Sequence, residues 1–186
     1  MRIEISHVGV SHKKLIETFS GRNNAFVLDS IREEMEENEY DPEDIELCIQ
    51  IARKFLSGIR QDHHDNDEFC AYLWILGVIG EETTIPSLDI VNSSRILKES
   101  GIWKLLTTAR LDFVHPISLK HFPPPGIGAI DCPREWEQVA GFFTEFGFTG
   151  LEVTPRNEIL RVQEEFSDVV ESLAEEELHL VTLVTN

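Results

Sequence analysis

With 186 residues, 41% of them hydrophobic, the chain is long enough to bury a sizeable core without staples. Its 34 acidic residues against 16 lysines and arginines give a net charge of -18, a field that repels nucleic acid and anionic lipid and attracts basic partners. The odd cysteine count argues against a disulfide framework, the segment MRIEISHVGV lacks the basic and apolar parts of a secretory signal, and no run is long enough to span a bilayer, so a cytoplasmic chain is expected.

Residues 3–10, IEISHVGV, are rich in β-branched side chains and begin by alternating, which predicts a strand. Ser11 then caps a helix to about Phe19, with Gly21 past its end. His7 and His12 flank this junction; a metal pair is the sharper reading of them, and two structural histidines the plainer one. From Asn24 the spacing of Leu28, Ile31 and Met35 is helical, ending near Asn38. Asp41 and Pro42 open the next helix as N-cap and first position, with Ile45, Ile49, Ala52 and Leu56 inward and Gly58 at its stop.

Nine carboxylates and no Lys or Arg stand between Glu33 and Glu46. Those near Pro42 complement a helix dipole, whereas Glu36, Glu37 and Glu39 oppose the dipole of the preceding helix and weaken its end. Such a placement reads as a surface kept for binding, against the plainer reading of a solvated face. The candidate partner-binding residues are Glu33, Glu34, Glu37, Glu39, Asp41 and Asp44.

The polar loop RQDHHDND, residues 60–67, leads to Asp67 as the expected cap of the next helix. His63, His64, Asp65 and Asp67 have the residue types of a divalent-metal site but poor spacing for one. Residues 68–80, EFCAYLWILGVIG, are apolar on every face and too short to cross a bilayer, so they predict a buried helix around which the rest is wrapped, with Cys48 and Cys70 in apolar surroundings. A loop over residues 81–91, with short extended pieces near Ile85 and Leu88, precedes a segment from Arg95 to Thr108 that Gly101 bends or splits in two.

FVHPISL, residues 113–119, looks extended, and HFPPPGIG, residues 121–128, is a rigid proline segment that could present Phe122 and Ile127 to a partner, though a buried crossover packing them is the favoured expectation. Asp131 or Cys132 then starts a helix with Pro133 in its first turn and Trp136, Val139, Ala140 and Phe143 inward. Cys132 near a helix start invites a nucleophile reading with His115 or His121 as base, but no signature surrounds it. A turn and short strand are expected across residues 147–153. Thr154 and Pro155 should open a last helix to about Glu177, burying Ile159, Leu160, Val162, Phe166, Val169, Val170 and Leu173 and exposing a second acidic face from Glu164 and Glu165 onward. The closing HLVTLVTN is a strand expected to pair with the N-terminal one.

This order of parts resembles a bacterial family known only as a domain of unknown function: an N-terminal strand, a helix near Leu15, acidic helices, an aromatic central helix, the HP and FPPPGIG elements within residues 115–128, and a closing LVTLV strand. The resemblance implies a small α+β domain and supplies no catalytic residues. In size and charge the chain also resembles the small acidic immunity proteins encoded beside bacterial toxins.

The expected fold is therefore a mostly helical α+β domain over residues 1–186, with a small sheet that includes both terminal strands. The expected function is an immunity or antitoxin-like inhibitor that masks a basic protein partner, for example a toxin nuclease, with no cofactor and no catalytic or metal residues. A metal-dependent hydrolase built on His63, His64 and Asp65, and a DNA-mimic inhibitor, are the alternatives.

Overall fold

The computed structural model describes residues 4–21, 24–57, 66–88, 93–108, 126–146 and 154–185. Its centre is a four-stranded antiparallel sheet in the order β2-β1-β4-β3. The two middle strands are the chain's first and last, β1 (Glu4–Ser11) and β4 (Leu178–Thr185), paired along their whole length from Glu4 opposite Thr185 to Ser11 opposite Leu178. The terminal pairing expected from the two β-branched segments is thus observed. The short β2 (Glu81–Thr83) lies beside β1, and β3 (Gly126–Ile130) lies beside β4.

Alternation along these strands sends side chains to two separate cores. Val8, Val10, Ile127, Ala129, Val181 and Leu183 face one core, filled by α1 (His12–Phe19), α2 (Asn24–Glu37), α3 (Pro42–Leu56) and α4 (Asn66–Ile79). Ile5, Ile130, Leu180 and Val184 face the other. That second core holds a 3-10 turn at Pro86–Leu88 and the helices α5 (Ser93–Glu99), α6 (Ile102–Thr108), α7 (Cys132–Glu145) and α8 (Arg156–Glu175). The first half of the chain covers one face of the sheet and the second half the other, giving α+β architecture in three layers. No helix among the described residues is long and apolar enough to cross a membrane.

Local signals set most helix ends. The Ser11 hydroxyl accepts the Lys14 amide at 3.2 Å, and Gly21 follows α1 with φ 85°. Asp41 and Pro42 open α3, and Asp131 precedes α7 with Pro133 in its first turn. Gly101, at φ 82°, does divide its segment into two helices, and a Cβ there would stand 2.8 Å from the Phe146 ring. Other expectations are corrected. Asp67 lies inside the first turn of α4 and does not precede it. Pro155 takes the cap position of α8, because the Thr154 hydroxyl is turned inward to accept from Arg95 Nε at 3.0 Å.

The last residues of the proline stretch, 126–128, open a strand, β3, that their two glycines hid, while residues 113–119, the prolines and Phe122 lie outside the described residues. Gly128 is needed there because α6 lies so close that a Cβ would stand 2.6 Å from Leu106 Cβ. Ile127 is buried, as expected. On α7 the inward face is Cys132, Val139 and Phe143, while Trp136 and Ala140 are exposed: the helix packs chiefly on α8 and β4, so a narrow apolar stripe suffices. Leu160 on α8 is likewise exposed, and Glu165 is half-buried because its carboxylate accepts the Ser87 amide at 2.9 Å.

Candidate functional site

The helix α4 carries the largest departure from sequence expectation. Its apolar residues divide into two stripes. Phe69, Ala71, Tyr72, Ile75, Leu76 and Ile79 are buried against the sheet and the neighbouring helices, with Tyr72 between the rings of Phe19 and Phe55. The opposite stripe is incompletely covered: Cys70 and Gly77 are exposed, and Leu73, Trp74 and Val78 are half-buried. An outer-layer helix in a three-layer fold has one face on the sheet and only its flanks on neighbours, so apolarity on all sides does not guarantee burial on all sides.

Two clefts flank this stripe, and Trp74 lines both. One, of about 190 Å3, lies between α2, α4, β1 and β2, and its lining includes Ser6, Val8, Glu34, Leu73, Gly77 and Glu82. The other, of about 270 Å3, lies between α2, α3 and α4, and its lining includes Tyr40, Asp44, Leu47, Cys48, Asp67 and Cys70. The Tyr40 ring meets the Trp74 ring edge-on, with centroids 5.8 Å apart. Tyr40 and Leu47 are among the few large apolar side chains left exposed in the described residues. The charged residues in both linings are all acids. Both volumes fall short of the roughly 300–1,000 Å3 of a drug-sized ligand pocket, so each suits one side chain of a larger partner.

The six candidate carboxylates are all exposed, but only two of them line the clefts. Glu34 and Asp44 line one cleft each, Glu39 and Asp41 sit in the turn between α2 and α3, and Glu33 and Glu37 lie on α2 outside both linings. Glu39 adopts φ 59°, the left-handed geometry that follows a helix and favours glycine, and it also opposes the helix dipole. Within the acidic run Glu46 is committed elsewhere, held by Arg32 at 2.7 Å across α2 and α3. The charge pattern singles out the carboxylates, but it does not connect them with Trp74, Gly77, Tyr40 and Glu82, which line the clefts. The uninterrupted apolar pattern of residues 69–79 contained the signal, since it exceeded what one buried stripe requires.

The histidines are placed differently from the sequence pairing. His7 lies on β1 with Nδ1 2.9 Å from the Thr182 hydroxyl, and burial pushes its pKa from 6.5 down to about 4. His12 instead meets His179, their rings edge-to-face at 5.3 Å. His179 Nδ1 stands 3.4 Å from the buried Asp131 carboxylate, which Arg134 approaches at 3.6 Å. Burial lowers the His179 pKa, against the pull of Asp131 and with help from His12 and Arg134. No group of three His, Cys, Asp or Glu among the described residues is placed to hold a metal. Cys132 is buried, donates to the Ile130 carbonyl at 3.7 Å and is pushed up to about 12, which removes it as a nucleophile. His63, His64 and Asp65, and with them His115, His121 and residues 147–153, lie outside the described residues.

Comparisons with protein-family models, with curated proteins and with solved structures found no match to this chain. The functional reading therefore rests on the surface itself.

Proposed function

We propose that this protein is a cytoplasmic binding protein that neutralises a basic protein partner, in the manner of an immunity or antitoxin-like inhibitor. The partner docks on the acidic face formed by α2, α3 and the outer stripe of α4. The observation that supports this reading is the combination on one face of exposed carboxylates with two side-chain-sized clefts around a half-buried tryptophan. Carboxylates alone are compatible with a solvated surface. Carboxylates around apolar clefts match the anatomy of an interface, in which charge steers the encounter and a few aromatic and aliphatic anchors hold the complex. A second copy of the chain is a poor occupant, because two bodies each carrying -18 repel.

The test begins with the native chain immobilised at low salt and the most abundant basic protein it retains identified. Association of that protein is then timed with wild type and with a variant in which Glu33, Glu34, Glu37 and Glu39 become Gln and Asp41 and Asp44 become Asn. The expected result is association slowed by about tenfold or more at low salt, with most of the salt dependence gone. An unchanged on-rate at low salt excludes this face.

A further inference from the structure

Gly77 lies in the last turn of α4, where glycine still weakens a helix relative to alanine, and nothing stands within 4 Å of where its Cβ would be. Internal packing therefore does not require the missing side chain. Its absence leaves open space in the lining of the smaller cleft, beside the half-buried Trp74 ring, with Glu34 from α2 and Glu82 from β2 in the same lining and no basic residue among the described lining residues. Gly128 and Gly80 are different: a Cβ at either would stand 2.6 Å from a neighbour, so the fold itself needs those glycines.

On the reading of this face as the docking surface, we infer that the Gly77 cleft receives one arginine side chain of the partner. The aliphatic stem of that arginine lies along Leu73 and Gly77, its guanidinium stacks on the Trp74 indole, and its N–H groups donate to the Glu34 and Glu82 carboxylates. Three features select arginine. A planar, weakly hydrated cation stacks on an aromatic face better than the compact lysine ammonium does. Several donors in a fixed fork suit acceptors approaching from two elements. The cleft is also too small for a drug-sized ligand and too acidic at its rim for an anionic or purely apolar side chain.

The experiment uses the intact chain labelled at its three tryptophan indoles, with the Trp74 signal assigned from Trp74→Phe. The probes are acetyl-Gly-Arg-Gly-amide and its citrulline counterpart, which keeps the shape and loses the charge. The expected result is a saturable shift of the Trp74 indole with the arginine peptide, and binding weaker by about tenfold or more with citrulline. Gly77→Leu, which fills the cleft, should abolish the shift. Gly141→Leu, at an equally open glycine of α7, should leave it intact and control for general effects. Glu34→Gln with Glu82→Gln, both on exposed positions that do not threaten folding, should weaken the arginine peptide to the citrulline level.

Equal binding of the two peptides, no shift with either, or an unaltered shift in folded Gly77→Leu, overturns the inference. The outcome is separable from that of the docking surface. A partner that loses association with the six-carboxylate variant but binds Gly77→Leu normally excludes the arginine cleft and leaves the docking surface standing. An arginine-selective cleft in a protein whose six carboxylates do not affect partner association has the reverse meaning.

Discussion

Acidification should expose the energetic cost of His7. In the folded chain its ring is almost fully buried on β1 against Thr182, and its pKa is lowered from 6.5 to about 4 because burial disfavours the charged form. Unfolded, the ring titrates near its ordinary value. Between the two pKa values the unfolded state binds the extra proton, so stability rises with pH across this window: the contribution is complete above pH 6.5 and is lost as pH falls toward 4. At about 1.4 kcal/mol per tenfold change, the difference amounts to about 3 kcal/mol by pH 4, a large share of the roughly 5–15 kcal/mol that stabilises an ordinary domain. Carboxylates titrate in the same range, so the measurement is a difference. Urea unfolding of wild type and His7→Gln should be followed at pH 7, 5.5 and 4. Glutamine keeps a polar group toward Thr182 and does not titrate, so the variant should lose about 3 kcal/mol less than wild type over that span. Parallel pH profiles for the two proteins would refute the assignment of His7 as a buried neutral ring.

Glu39→Gly should raise stability by up to about 1 kcal/mol by relieving a left-handed glutamate at a helix end, and Glu177→Gly, at the same geometry after α8, should do the same; on the proposed docking surface, only the first should slow association of the proposed basic partner. Gly128→Ala should lower the urea midpoint by an amount equivalent to about 1–3 kcal/mol, since its Cβ meets Leu106 at 2.6 Å, and an unchanged midpoint would contradict that close packing. Cys70 is exposed while Cys48 and Cys132 are buried with pKa values pushed up to about 11 and 12, so a bulky maleimide should label Cys70 first in the native protein, read by peptide mass mapping, and the adduct should block the larger cleft to the partner. Asp131→Asn should lower the His179 pKa further, since it removes the charge that favours the imidazolium, and a ring titration by NMR that rises or stays put would contradict the pairing.

Local events were legible in the residues. Ser11, the Asp41–Pro42 pair, Pro133 and Gly101 act through backbone geometry within a few residues, and they start, stop or split helices where their chemistry requires. The β-branched terminal segments likewise announced two strands, and the acidic run between Glu33 and Glu46 announced an unusual surface. What these parts face depends on packing between distant segments. β3 was hidden because Gly126 and Gly128 lower strand propensity, and its glycines make sense only once Leu106 of α6 packs against them. Spacing points Trp136 inward, yet it lies outward, because periodicity gives the width of an apolar face without saying how much of it a neighbour covers. The same holds for α4. Its composition showed that every side was apolar, but which stripe the sheet would bury and which would remain beside Glu34 and Glu82 depended on contacts between elements far apart in the chain, and burial is a property of those contacts.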